Sequence, residues 1–356
     1  MIINSKDLQI LPIKRAKTIP SKWYYSKKVF KLENKMIFSK SWHLVGSESI
    51  LKSPGDAVIR EILNQPIIII KQKNHSLKAF FNVCQHRGGP LLTTNSCVKT
   101  LQCKYHGWIY NLNGELKRVR EFENVENFDF KDYNLKSIDI KVWQGLIFIN
   151  FNNEPNNLNS ILNEISTRIK PINFSKYTFH SSVSYHIKCN WKTYIDNFLE
   201  GYHIPFVHPK LNKILDYKSY TTEIFKNYSL QFAPINSDIS PYDKSNELKN
   251  TAYYYTIFPN ILLNIAPGRL QTNMINPTSP NSCVVYFDYY FDKVGDNVIK
   301  NDIEFSNEVQ LEDIKICEEV QKRLESKGYN KGRISPQSEK GLHHFQSILK
   351  EQLKNG

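Results

Sequence analysis

Cys84-Gln85-His86-Arg87-Gly88-Gly89-Pro90 and Cys103-Lys104-Tyr105-His106-Gly107-Trp108, with sixteen residues between His86 and Cys103, decide the reading of this chain. Each segment offers one thiolate and one imidazole. That pairing suits an asymmetric [2Fe–2S] cluster with two cysteines on one iron and two histidines on the other. Neutral imidazoles lower the cluster's negative charge and raise its reduction potential, so such a site passes single electrons. Zinc is the competing reading, because it also accepts Cys and His. Its usual spacing, however, is Cys-x2-4-Cys followed by His-x3-5-His, and here the first segment is a tight Cys-x-His. The flanking glycines favour iron–sulfur, since they let backbone approach the cluster and donate N–H groups to its sulfurs.

Working outward, residues 41–151 read as short strands broken by turns. Strands are expected at Ala57–Ile62, Ile67–Lys71, Leu77–Val83, Trp108–Tyr110 and Trp143–Asn150, with turns at Ser53-Pro54-Gly55, Asn74, Asn113-Gly114 and Gly145. This is a small all-β module carrying the four candidate ligands on two loops. From 152 to 356 the pattern changes. Helices are expected over 158–169, 191–201, about 306–326 and about 337–353, and strands across 253–265 and 282–291, so the second domain reads as α+β. Residues 1–40 form an N-terminal segment packing on that second domain.

The 356 residues suffice for two domains. No apolar run is long enough to span a bilayer, and Met1–Pro20 does not resemble a signal peptide. Beyond Cys84 and Cys103, the cysteines at 97, 189, 283 and 317 are scattered without paired spacing, which fits a reduced, cytoplasmic setting. The net charge of +13 is spread over single lysines rather than blocks, so it argues against nucleic acid and suits docking of an acidic electron donor.

A second candidate site follows in Asn197-Phe-Leu-Glu200-Gly-Tyr-His203-Ile-Pro205-Phe-Val-His208. On an uninterrupted helix His203 and His208 would diverge by roughly 140°. Pro205 is expected to end or kink the helix between them and let His208 swing back. Glu200 stands three residues before His203, on the same helix face. A mononuclear ferrous centre for O2 needs two histidines, one carboxylate and open positions. On the helix around 306–326, Asp313 falls in the middle of a face carrying Val309, Ile316, Cys317, Val320 and Leu324, with Glu312 at its edge. An inward carboxylate must be paired or bind a metal. Asp313 is therefore the candidate third ligand, Glu312 is the substitute, and a buried ion pair is the non-catalytic reading.

With both motifs in view, the chain resembles the catalytic subunits of Rieske non-haem iron oxygenases over nearly its whole length. It is most similar to the choline monooxygenase and carnitine and betaine oxygenase subgroup, through Trp191–His203, Glu312–Gln321 and Gly332-Arg-Ile-Ser335. The resemblance implies a Rieske module followed by a helix-grip-like catalytic domain with an antiparallel sheet. It implies a cluster held by Cys84, His86, Cys103 and His106, and mononuclear Fe(II) held by His203, His208 and Asp313. It implies O2 as co-substrate, and electrons from NAD(P)H through a separate ferredoxin or flavin reductase. It further implies a homotrimer in which the cluster of one subunit faces its neighbour's mononuclear iron, with Glu200, where many members have Asp, linking the two sites.

A quaternary or N-methylated amine is the expected substrate, hydroxylated to give monooxygenation, demethylation or C–N cleavage. Aromatic residues at 253, 254, 255, 258, 286, 289 and 290 supply faces that attract such cations, although aromatics on strands are more often core. Hydroxylation of an aromatic ring or a natural product stays open. A Rieske electron carrier without oxygenase activity and a zinc-bearing nucleic-acid binder complete the alternatives.

Overall fold

The structure is a computed structural model and describes residues 3–152, 158–236 and 250–354. It divides into two compact units, one of residues 40–156 and the other of 1–39 together with 157–356.

The first unit is all β apart from short 3-10 turns. Its strands are β1 (Trp42–Ser47), β2 (Asp56–Ile62), β3 (Gln65–Lys71), β4 (Leu77–Phe81), β5 (Ser96–Cys97), β6 (Leu101–Gln102), β7 (Ile109–Tyr110), β8 (Leu116–Arg118), β9 (Ser137–Trp143) and β10 (Leu146–Asn150). Seven of them form one antiparallel sheet in the order β1-β10-β9-β4-β3-β2-β5. The four isoleucines of β3, Ile67 to Ile70, are all fully buried, as an apolar run flanked by turn residues demands. The stretch expected as one strand across Trp143–Asn150 is a hairpin. Gln144 and Gly145 both take positive φ (47° and 85°), the backbone a two-residue turn requires. The remaining strands, β6-β7-β8, form a three-stranded sheet. One ligand loop leaves β4, and the other is the tip between β6 and β7.

The second unit holds a seven-stranded antiparallel sheet of β11 (Thr178–Ile187), β12 (Thr221–Ile224), β13 (Tyr228–Pro234), β14 (Thr251–Ile257), β15 (Ile261–Ala266), β16 (Arg269–Ser279) and β17 (Ser282–Phe291). They are ordered β11-β17-β16-β15-β14-β13-β12, a meander whose first strand closes on its last. The helices are α1 (Lys27–Met36), α2 (Leu158–Arg168), α3 (Trp191–Phe198), α4 (Ile204–Val207), α5 (Leu211–Ile214), α6 (Asp296–Leu324) and α7 (Lys340–Leu353). The chain is thus mixed α+β. Among the described residues no helix is long and apolar enough to cross a membrane.

Two helix expectations need correction. First, α3 ends at Phe198, before Glu200, and Pro205 opens α4 instead of breaking α3; its missing N–H costs nothing in a first turn. Second, α6 begins ten residues earlier than its apolar pattern suggested, and its inward face is polar. Asp302, Ser306, Gln310, Cys317, Gln321 and Leu324 are buried, while Val320 is 40% exposed. Asp313 completes that series at helical spacing, so it does face inward, but among polar neighbours. In addition, three of the scattered cysteines meet in the fold without pairing. Buried Cys189 lies within hydrogen-bonding reach of Cys283 and Cys317, and all are free thiols.

The N-terminal segment is tied to α3 by buried charge. Glu33 of α1 and Lys192 of α3 are both fully buried, 2.7 Å apart, and meet off the ideal hydrogen-bond direction. Trp191 Nε1 donates to Glu33 at 2.9 Å and Lys192 to Asn190 at 2.8 Å. Next to them the Tyr24 hydroxyl donates to Asp196, which also accepts from Gln346 at 3.2 Å. Burial raises the Asp196 carboxyl from 3.8 to about 7, against the opposing effects of Tyr24, Lys192 and Gln346. A carboxyl that holds its proton more tightly when folded stabilises the fold fully below its unfolded pKa. That contribution is lost as pH rises through about 7. The melting temperature of the wild type is expected to fall across this window, and Asp196→Asn to flatten the fall.

Candidate metal centres

In the first unit the two ligand loops repeat one turn. Gly88 stands four residues after Cys84 and Gly107 four after Cys103. Both have φ of +73°, and their N–H groups donate to the carbonyls of Cys84 (2.9 Å) and Cys103 (3.1 Å). Lys104 N donates to Pro90 O at 3.2 Å and joins the loops. A Cβ on Gly89 would lie 2.8 Å from Cys103 Sγ and 2.9 Å from Tyr105 Cβ, so the loops approach as only glycine allows. Tyr110 Oη is 3.3 Å from Cys84 Sγ and accepts from Gln85 N at 3.1 Å. Tyr105 N donates to Cys103 Sγ at 3.5 Å.

On the imidazole side, the His86 and His106 rings lie 4.5 Å apart between centroids, and His86 stacks on Trp108 at 4.8 Å and 11°. His86 Nδ1 is buried without a hydrogen-bond partner. Burial, then the neighbouring His106 and Arg87, lower the His86 pKa and keep the ring neutral, as a metal ligand must be. A zinc tetrahedron would bring all four donors to one point. Among the described residues the one set of three or more such donors that converges so closely lies elsewhere, in the second unit. Two buried thiols on one side, met by the Tyr110 hydroxyl and the Tyr105 N–H, and two imidazoles on the other suit a diiron cluster.

That converging set is His203, His208 and Asp313, whose donor atoms lie within 4.8 Å of one another. The break after α3, then α4 and His208 at its C-cap, turns the two imidazoles toward each other, with centroids 5.1 Å apart. Asp313 Oδ1 is 3.0 Å from His208 Nε2 and 3.6 Å from His203 Nε2. The far nitrogens are held by other carboxylates. His203 Nδ1 meets Glu200 at 2.7 Å, and His208 Nδ1 meets Glu312 at 2.7 Å. Glu200 also accepts from His203 N at 3.1 Å, so the pair forms across a turn and not along a helix face. Carboxylates on both Nδ1 atoms fix the ring orientation and present both Nε2 atoms as donors, the usual arrangement behind a metal. Burial alone would lower the His208 pKa, but Asp313 and Glu312 outweigh it and the pKa is raised. Asn197 Nδ2 donates to Asp313 Oδ1 at 2.6 Å. Two imidazoles and one carboxylate, with their remaining side on a cavity, fit a mononuclear iron centre.

The cavity has an empty volume of about 730 Å3 and is open to solvent. Phe198, Tyr220, Tyr254, Phe287 and Phe305 supply its aromatic wall. Of the aromatics singled out in the sequence, Tyr254 alone lines it; Tyr255, Tyr289 and Tyr290 are buried core.

The family model described as ring hydroxylating alpha subunit (catalytic domain) matches residues 174–355, and the Rieske [2Fe-2S] domain model matches 41–129. The chain belongs to the Rieske ring-hydroxylating oxygenases. This oxygenase is similar to chloroplastic choline monooxygenase of Arabidopsis thaliana, with 31% identity over 97% of this chain and 85% of the relative. It is also similar to the carnitine monooxygenase oxygenase subunit of Escherichia coli K12, with 29% identity over 95% and 94%. Among solved structures, a quaternary ammonium Rieske monooxygenase matches with a TM-score of 0.87 and 26% identity over 97% of this chain and 100% of that one. Naphthalene 1,2-dioxygenase, at 19% identity and a TM-score of 0.77, shares the fold. As a member of the family the oxygenase uses a Rieske cluster, mononuclear iron and O2, and takes electrons from a reductase.

Sequence reasoning missed Asn197 as the partner of Asp313 and Glu312 as the partner of His208. The signal for the second was present in the adjacency Glu312-Asp313, where neighbouring helix positions can serve two sides of one ligand set.

Proposed function

We propose that this oxygenase hydroxylates a quaternary or N-methylated amine next to nitrogen, leading to monooxygenation, demethylation or C–N cleavage. The observation that carries the reading is the His203/His208/Asp313 set opening onto a cavity walled by aromatic faces. Such faces attract an alkylammonium while excluding water. The choline and carnitine monooxygenases among its relatives support the substrate class.

In this reading Cys84, Cys103, His86 and His106 hold the cluster, and His203, His208 and Asp313 hold ferrous iron. Bound there, the two centres supply single electrons and O2 activation. Tyr110 and the Tyr105 N–H tune the cysteine sulfurs by hydrogen bonding. Glu200 and Glu312 orient the imidazoles, and Asn197 holds the Asp313 oxygen. Glu200 is also the candidate link to a neighbouring subunit's cluster in a homotrimer. A ferredoxin or flavin reductase drawing on NAD(P)H is the electron donor, in a cytoplasmic setting.

Glu200→Gln and Glu312→Gln keep the shape but weaken the hold on Nδ1. Each is expected to cost about 10–100-fold in iron affinity or turnover, read by iron content after dialysis and by steady-state rates. The substrate reading is tested by O2 uptake and product analysis with choline, carnitine, betaines and benzoates. Coupled turnover of a benzoate with none of an ammonium compound would replace it with ring hydroxylation.

A further inference from the structure

Beside Tyr254 and Phe287, their direct cross-strand partners Asn264 and Asn273 belong to a floor of amides that the protein leaves partly unsatisfied. β16 contributes Arg269, Gln271 and Asn273 on one face, and β15 places Asn264 directly across from Gln271. All four are buried, with exposures of 5%, 4%, 2% and 6%. Asp302 neutralises Arg269 through an ion pair of 2.7 Å. Arg269 also donates to Gln271 Oε1, and Gln271 Nε2 passes the chain on to Asn273 Oδ1 at 2.7 Å. There the chain stops. Among the described residues no protein group meets Asn273 Nδ2 or the Asn264 amide, and these atoms face the open cavity. Gln310, one turn before Asp313, gives its carbonyl to the Tyr194 hydroxyl at 2.7 Å, and its buried amide nitrogen is unpartnered.

Buried amides without partners cost free energy unless a ligand or water satisfies them. Filling the cavity with a hydrocarbon or a plain tetraalkylammonium would bury the Asn264 and Asn273 amides without partners, beside the Gln310 nitrogen that is buried already. Ser306, which donates to Gln271 at 2.8 Å, stands seven residues before Asp313 on α6, roughly 10 Å along the axis. Gln271, with Asn264 across from it, is therefore set back from the metal ligands, while Asn273, two residues further along β16, lies toward them, level with Gln310.

We infer that Asn264 and Asn273 determine specificity, reading an oxygen-bearing arm of the substrate. Because Arg269 is neutralised, the floor recognises that arm by hydrogen bonds and takes a hydroxyl or a carboxylate alike. The inference rests on the ammonium reading of the site and adds a requirement to it.

The test compares choline and γ-butyrobetaine, which carry a hydroxyl and a carboxylate, with n-butyltrimethylammonium, which has no oxygen. It uses the iron-loaded holoenzyme, with kcat/KM from product formation and affinity from anaerobic calorimetric titration. At least one oxygen-bearing amine is expected to be preferred over the oxygen-free one by about 100-fold or more, as for sites built to pair a polar group. Asn264→Leu and Asn273→Leu are each expected to shrink that ratio at least about tenfold, in affinity as well as turnover. Asn264→Ala and Asn273→Ala carry the same expectation should the leucine variants not fold. Equal use of n-butyltrimethylammonium by the wild type, or an undiminished ratio in both variants, overturns the inference. If no ammonium compound binds or reacts, the proposed function falls instead. The amide floor is then judged by whether the same variants erase a preference for benzoate over toluene.

Discussion

A variant carrying both His203→Ala and His208→Ala will form no product, yet it will stay brown and still accept electrons from a reductant. Two of the three donors that meet within 4.8 Å are then gone, and Asp313 alone is a poor site for ferrous iron. Glu200 and Glu312 lose the imidazoles they orient, and neither belongs to the converging set. The cluster loops belong to the other compact unit, whose backbone turns at Gly88 and Gly107 owe nothing to these histidines. Visible absorption and electron paramagnetic resonance should show the cluster unchanged while product falls to background. Normal turnover in this variant would place oxygen chemistry elsewhere.

The second large effect is on stability. Glu33→Ala removes the partner of a fully buried lysine, and breaking one side of a buried ion pair typically costs about 3–5 kcal/mol. Burial already lowers the Lys192 pKa, with Glu33 opposing the shift, so losing Glu33 should neutralise the lysine in part. Trp191 Nε1 loses its acceptor as well. The thermal transition of the larger unit should drop by several degrees. A Glu33→Leu, Lys192→Met double variant should recover much of the loss, because apolar replacement of both partners removes the desolvation penalty. A single Glu33→Ala variant as stable as wild type would mean that the N-terminal segment is not anchored by this pair.

Both candidate ligand motifs could be read because ligand chemistry constrains residue type and spacing over a few positions, and the structure brings the residues of each motif close together. Asp313 was legible for a reason that proved incomplete. Helical periodicity placed it inward, and Val309, Cys317 and Leu324 do share its face, but Asp302, Ser306, Gln310 and Gln321 make that face largely polar and Val320 is exposed. A helix that lines a polar cavity wall carries no apolar stripe, which also hid the first ten residues of α6. β16 escaped for the same reason, since its inward row of Arg269, Gln271 and Asn273 looks like surface in a linear sequence. Glu33 sits in a Lys-rich helix and reads as solvated. Its partner is 159 residues away, and no local pattern reports such a pairing.

The central claim is that one chain carries two separate iron sites, a diiron cluster on the first unit and a single ferrous ion on the second. Iron and acid-labile sulfide per chain test it most directly, measured side by side on the wild type and the His203→Ala, His208→Ala variant. The wild type should hold about three irons and two sulfides, and the variant about two of each. Two irons in both proteins, or zinc in place of iron at either position, would contradict it.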